Sequence, residues 1–277
     1  MGLNWIDAND YSFNAFLLLE RFQIKMMTDS KGWRNEDEKW TRSMGIALAA
    51  NPAVKWYLAR RCPECAEAIE SLAANAPPAS EKEIREAEVY ALASVEDFTV
   101  YTTPEVMAEK CDFIRGWNKE RLFSLADFAN KIVLDVGAGS GRLTFAAAEK
   151  AAFVYASEPV GTLREFMRDK IKREQIKNVR VLDGLVTELP FPDDIFDIVM
   201  SGHVVGDERE AEIAELTRVC KSGGWLLECA GDSEGDMTPD PDAIAEGWEE
   251  IKYTGSYGKL VCIYRKQIFK ESARSAR

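Results

Sequence analysis

Along the first hundred residues the apolar positions recur at helical spacing; beyond Lys131 they gather into short blocks separated by polar turns. Phe13, Phe16, Leu17, Leu19, Phe22, Ile24 and Met27 predict one buried helix over 12–27, ended by Asp29-Ser30-Lys31-Gly32. A second helix is predicted from about Glu36 to Ala50. Asn51-Pro52 opens a third, carrying Val54, Tyr57 and Leu58, and Pro63 opens a fourth that ends near Asn75. Ala76-Pro77-Pro78-Ala79-Ser80 is the clearest linker, and a helix follows from Glu81 to Ala93. Thr103-Pro104-Glu105 has the chemistry of a helix start: a capping hydroxyl, a proline in the first turn and an acid beside the dipole. From there the pattern turns βαβ, with strands near 132, 153, 179, 196 and 225 alternating with helices near 141, 160 and 208. Lys259–Gln267 alternates as a last strand, paired with one near Glu250–Thr254. The fold expected is α/β: a Rossmann-like parallel sheet with a final antiparallel strand, preceded by an N-terminal helical unit. The domains expected are a helical cap over 1–100 and a core over 101–277.

Within that pattern, Ile132-Val133-Leu134-Asp135-Val136-Gly137-Ala138-Gly139-Ser140-Gly141-Arg142-Leu143 reads as a buried strand running through a three-glycine turn into a helix. Glycine takes positive φ without steric cost and leaves bare backbone for a ligand. The helix that follows points its free N–H groups and positive dipole end at that ligand. Such a corner at the carboxyl edge of a parallel sheet binds nucleotides. The dinucleotide fingerprint GxGxxG needs its last glycine at 142, where this chain has Arg142, so NAD is disfavoured. Phe153–Ser157 reads as a second strand ending at Glu158, placed to accept from ribose hydroxyls. With Asp135 close by, the set suits an adenosine bearing a cationic amino-acid tail.

Leu189-Pro190-Phe191-Pro192-Asp193-Asp194-Ile195-Phe196-Asp197-Ile198-Val199-Met200-Ser201 resembles the LPFPD-x-x-FD-x-V-x-S segment of class I S-adenosylmethionine-dependent methyltransferases, closest to the ubiquinone and menaquinone C-methyltransferase group. Glu215–Gly224 is similar to that group's E-x-x-RVLKPGG turn before strand five. The resemblance covers roughly Lys131 to Glu228. It implies S-adenosyl-L-methionine as cofactor and methyl transfer as activity. It also implies cofactor contacts from Asp135, Gly137, Ala138, Gly139, Gly141, Glu158, Pro159, Asp183, Gly184, Leu185 and Ser201, with no metal.

Departures from the family pattern are as informative. Leu185 stands after Gly184, where the family places an acid for the adenine amino group; either Asp183 substitutes, or backbone and apolar contacts hold the adenine. Ser222 replaces the usual proline. The family's histidines beyond strand four correspond to Val205 and Gly206, and the chain's one histidine, His203, comes earlier. As a candidate catalytic residue His203 is a general base with a suitable ordinary pKa; otherwise it is a loop residue satisfied by hydrogen bonds. Displacement at a methyl group needs alignment first, and a base only where the nucleophile carries a proton.

Among Trp5, Tyr11, Trp33, Trp40, Trp56 and Tyr57, core packing is the expectation, with Tyr11 the candidate to close over cofactor or acceptor. Asp207-Glu208 and the charges at Asp232, Glu234 and Asp236 read as solvated loop, although the loop after strand five could rim an acceptor pocket. Cys62-Pro63-Glu64-Cys65 would put two thiols at a helix N-terminus beside Arg60 and Arg61, an environment that lowers thiol pKa. It reads as incidental, as half of a zinc site, or as a redox pair; a zinc site lacks two further ligands in the sequence.

A net charge of −12 argues against phosphate-backbone recognition, and no apolar run reaches membrane-spanning length. The start MGLNWIDAND lacks a basic flank and secretory core, so a cytoplasmic protein with reduced thiols is expected. The partners expected are a small-molecule substrate and neither nucleic acid nor membrane; pairing of two copies into a homodimer is left open. A protein or RNA methyltransferase, and a non-catalytic S-adenosylmethionine-binding module, are the alternatives, the acidic surface disfavouring RNA.

Overall fold

A computed structural model describes residues 7–28, 38–111, 117–206, 208–232 and 235–270. Trp5, Asp29–Glu36 (Trp33 included), Asp207 and Glu234 lie outside the described residues. The chain divides into two compact units, Met1–Met107 and Ala108–Arg277.

The first unit is helical, with α1 (Arg21–Thr28), α2 (Glu38–Ala50), α3 (Pro52–Arg61), α4 (Ala66–Ala74), α5 (Glu81–Ser94), the single turn α6 (Glu96–Thr99) and α7 (Pro104–Lys110), which runs across the boundary. Residues 12–27 do not form one helix. A 3-10 helix over Phe13–Leu18 stops at Leu19, whose backbone is extended, and α1 starts afresh at Arg21. Two side chains produce the break: the Ser12 hydroxyl accepts from the Asn14 N–H, and Gln23 Oε1 accepts from the Glu20 N–H. α2 is the core helix, burying Trp40, Ser43, Met44, Ala47 and Leu48 at a 3.6-residue period. Gly45 lets α4 approach, since a Cβ there would stand 2.6 Å from the Leu72 carbonyl oxygen. Ser80 and Glu83 form a reciprocal capping box at the start of α5.

The second unit carries the single turn α8 (Glu120–Phe123) and a seven-stranded sheet. Its strands are β1 (Ile132–Val136), β2 (Phe153–Ser157), β3 (Val179–Leu182), β4 (Phe196–Ser201), β5 (Cys220–Glu228), β6 (Glu249–Thr254) and β7 (Leu260–Gln267). The order is β3-β2-β1-β4-β5-β7-β6, with the first five parallel and β7 antiparallel to both its neighbours. Helices α9 (Arg142–Ala148), α10 (Gly161–Glu174) and α11 (Arg209–Val219) make the crossovers, and α12 (Pro241–Ala245) precedes the final hairpin. β1 is nearly all apolar because both faces of the sheet are covered, by one cluster around Val133, Leu143, Val154 and Ile198 and another around Leu134, Val136, Leu216 and Leu226. Successive strands run outward from β1 in one direction as β2 and β3, and in the other as β4 and β5. That reversal opens a crevice at the carboxyl ends of β1 and β4.

Candidate functional site

The crevice begins at the glycine turn. Gly137, Gly139 and Gly141 take φ of +62°, +58° and +92°. Space excludes side chains as well: a Cβ at Gly137 would lie 2.4 Å from a Val204 methyl, and one at Gly141 would lie 2.4 Å from the Phe145 ring. The Ala138 N–H donates to the Ser157 carbonyl at 3.1 Å, tying the turn to the end of β2.

Two carboxylates are buried beneath this turn. Asp135 is 1% exposed, and its Oδ2 accepts from the Thr144 hydroxyl at 2.5 Å. Glu158 is 4% exposed; Oε2 accepts from the Gly139 N–H at 2.8 Å and Oε1 from the Val160 N–H at 2.9 Å. Burial pushes each carboxyl up to about 7. Pro159 follows Glu158, half-buried. The Ser157 hydroxyl donates to the Gly184 carbonyl at 3.1 Å, so the loop after β3 is drawn against β2, and a Cβ at Gly184 would meet that hydroxyl at 2.5 Å. Asp183 points outward and pairs with Arg164 at 3.1 Å, while Leu185 is 38% exposed.

At the β4–β5 side, the Ser201 hydroxyl and the His203 N–H both donate to the Glu228 carboxylate. Burial raises the Glu228 carboxyl above its ordinary range. His203 sits at φ +62°, and its Nε2 accepts from the Gly231 N–H at 3.1 Å. An accepting Nε2 requires a neutral ring. In agreement, the surrounding protein and the Arg142 guanidinium lower the imidazole to about 4, even though part of the residue meets solvent. Tyr11 lies in the helical unit, where burial raises its phenol; its hydroxyl is buried beside Thr103 without a hydrogen bond of ordinary geometry, and its carbonyl accepts from Arg85.

Asp135, Gly137, Ala138, Gly139, Gly141, Glu158, Pro159, Asp183, Gly184, Leu185, Ser201 and His203 thus share one edge of one sheet. Sequence reasoning overlooked Thr144, Glu228 and Arg142 as members of this edge. An acid ending an apolar strand is a signal for Glu228; nothing local marks Arg142, whose Nη2 donates to the Cys229 carbonyl 87 positions away. Asp232 also departs from the solvated loop expected of it. It is 1% exposed and accepts from the Ser256 N–H and hydroxyl at 2.7 and 2.6 Å, pinning the turn before β7 to the end of β5.

The lowered thiol pKa expected at Cys62–Cys65 is corrected. Both thiols are free and buried, with sulfurs 3.1 Å apart, and burial together with the neighbouring Cys65 pushes Cys62 up to about 12. Arg60 is exposed and Arg61 is paired with Glu20, so neither relieves the desolvation. No group of three or more metal-ligating side chains occurs among the described residues.

Comparison with known proteins agrees with this geometry. Residues 134–227 match the family model described as a methyltransferase domain. An uncharacterized methyltransferase of Geobacillus thermodenitrificans is 29% identical over 120 residues, 42% of this chain and 54% of that protein. A histone-arginine methyltransferase of Drosophila persimilis is 33% identical over 156 residues, 53% of this chain and 27% of that protein. A solved structure of an S-adenosylmethionine-dependent methyltransferase from Aquifex aeolicus shares 19% identity with a TM-score of 0.48, covering 60% of this chain and 96% of that one. The chain therefore spans about half the length of the first of these relatives and about a quarter of the second. Residues 134–227 form a methyltransferase domain.

The residues present fit S-adenosylmethionine. Each Glu158 oxygen accepts one backbone N–H and keeps a lone pair, which matches the two hydroxyl donors of a ribose. Gly137, Gly139 and Gly141 carry no side chain of their own over the turn, so its backbone can meet a ligand directly.

Proposed function

We propose that this protein transfers the methyl group of S-adenosylmethionine to a small-molecule acceptor. The observation that carries the reading is Glu158, buried at the end of β2, bound to the glycine turn and still able to accept from two hydroxyls. The cofactor supplies an electrophilic methyl on a sulfonium. Gly137, Ala138, Gly139 and Gly141 hold its methionine part, with Asp135 near the ammonium group. Pro159, Asp183, Gly184 and Leu185 border the adenine, Leu185 by apolar contact and Gly184 through backbone. Ser201 orients the end of β4 through Glu228. Alignment of nucleophile, methyl and sulfur provides most of the rate.

His203 Nε2 is engaged by Gly231, so proton removal at that atom requires breaking the bond. An acceptor with a lone pair already free at neutral pH suits this site best. A cytoplasmic setting is supported by six free thiols and by the lack of any described helix long and apolar enough to cross a membrane. A protein acceptor is the second reading, favoured by the likeness to the histone-arginine enzyme.

Calorimetric titration of S-adenosylmethionine and S-adenosylhomocysteine tests the first step. Micromolar binding of both, weakened at least tenfold in Glu158→Ala, is expected. Failure of either ligand to bind, or binding indifferent to Glu158, overturns the reading. An acceptor screen of small metabolites against histone-tail peptides then separates the two acceptor classes.

A further inference from the structure

The β4–β5 side of the crevice holds an arginine with one donor that nothing answers among the described residues. Arg142 opens α9 and crosses to the end of β5, where Nη2 donates to the Cys229 carbonyl at 2.7 Å. Its guanidinium lies over the Trp117 ring, 4.6 Å from the centroid. A Cβ at Gly202 would stand 2.8 Å from Nη2, so only glycine at the end of β4 leaves room for the guanidinium there. Nη1 is buried and has no hydrogen-bond partner, and Asp135 and Glu228 act on the guanidinium charge only through space, without an ion-pair contact among the described residues. Buried charges are ordinarily paired, and a buried donor without a partner costs the protein its full desolvation. An orphaned guanidinium donor at the mouth of a site therefore points to a ligand that completes it.

We propose that Arg142 is the specificity-determining residue that receives a carboxylate of the methyl acceptor through Nη1. The assignment rests on the methyltransferase reading above. Placement in the sheet separates this point from the cofactor's ribose. Glu158 ends β2, whereas Cys229 follows β5, three strands away in the order β2-β1-β4-β5, or about 14 Å at the usual strand spacing. The ligand's charge is limited by the acids already present. Glu228, half-buried, and Asp232, buried, stand at the same end of β5, and Asp135 lies beneath the turn, so a monoanion is tolerated where a phosphate dianion is repelled. Trp117 and Tyr253 supply apolar surface: the Trp117 ring lies under Arg142, and Tyr253 stacks on Arg121 at 3.4 Å. Arg142 is only half-buried as a whole, so a tilt of the guanidinium off Trp117 presents Nη1 to an incoming carboxylate.

The experiment uses the full chain saturated with S-adenosylhomocysteine and titrates benzoate, benzamide and benzylammonium by ligand-observed NMR. Benzoate is expected to bind at least tenfold tighter than the two isosteres, and Arg142→Gln is expected to erase that preference with S-adenosylhomocysteine affinity unchanged. Arg142→Lys, which keeps the charge, should retain part of the preference and serves if Arg142→Gln does not fold. Equal binding of benzoate and benzamide to the wild type overturns the assignment. So does loss of S-adenosylhomocysteine affinity in Arg142→Gln without loss for 5′-methylthioadenosine, which would give Nη1 to the cofactor's own carboxylate. Failure of the wild type to bind S-adenosylhomocysteine overturns the methyltransferase reading and this assignment with it, whereas cofactor binding without carboxylate preference overturns this assignment alone.

Discussion

The helical unit and the sheet unit both bury substantial apolar cores, yet they bury different polar groups. Among the described residues of the helical unit the buried polar side chains are Gln23, Ser43 and Thr99, all uncharged, and Thr99 donates to the Leu92 carbonyl. Inside the sheet unit, Asp135, Glu158, Glu212 and Asp232 are buried carboxylic acids. Glu212 caps a turn by accepting from the Gly206 and Glu208 N–H groups, and Asp232 holds the turn before β7. Asp135 and Glu158 stand beneath the glycine turn. Burying a carboxyl is costly unless hydrogen bonds answer it. The comparison locates chemistry: the helical unit is organised for packing, and the sheet unit sacrifices stability at one edge to hold acids where a ligand can use them.

Change of pH should break the symmetry between the units most strongly. The carboxyls of Asp135 and Glu158 lie at about 7 in the fold, against about 4 in an unfolded chain. Between those values the folded state keeps protons the unfolded chain has released. Their contribution is therefore complete below pH ~4 and is lost as pH rises through about 7. His203 acts in the opposite sense: with its imidazole at about 4, its contribution is complete above the ordinary histidine value and is lost as pH falls towards 4. The two tendencies oppose each other below pH ~6.5, and above it only the carboxyls act. Urea unfolding should show the sheet unit losing roughly 1 kcal/mol per pH unit for each carboxyl between pH 5 and 6.5. The helical unit should stay flat from pH 5 to 8. A sheet-unit transition that strengthens from pH 6.5 to 7.5 would contradict the buried acids.

Trp40→Ala probes the other side of the comparison. The indole is 1% exposed on the core face of α2, and its removal should cost the helical unit about 3–5 kcal/mol. Urea curves followed by circular dichroism should then separate into two transitions, with only one displaced; equal displacement of both would show a single cooperative core. A smaller effect is expected at the capping box. Ser80→Ala removes the acceptor for the Glu83 N–H and should cost about 1 kcal/mol, read as a shift of the helical-unit midpoint.

Much of the fold was legible before any coordinates. The strands near 132, 153, 179, 196 and 225 announced themselves as apolar blocks because β1 and its neighbours are covered on both faces. Pro52 and Pro104 marked helix starts through chemistry that acts within one turn. The failure at residues 12–27 is instructive. Apolar spacing there fits a helix, but the Ser12 and Gln23 side chains capture backbone N–H groups and divide the segment. The lowered thiol pKa expected at the cysteine pair failed for a different reason: adjacent arginines in sequence say nothing of burial, and burial outweighs them.

What the amino-acid order determined by itself is local and periodic: the glycine turn, the acid ending β2, the alternation that makes strands and the caps that start helices. These follow from dihedral freedom and hydrogen bonds between residues a few positions apart. Only the tertiary structure decided which distant groups meet. It set Glu158 against Gly139, placed His203 Nε2 on Gly231, and carried Arg142 to Cys229 with one donor left over. Those meetings depend on strand order and on which groups lose water together, and desolvation is a property of the packed whole.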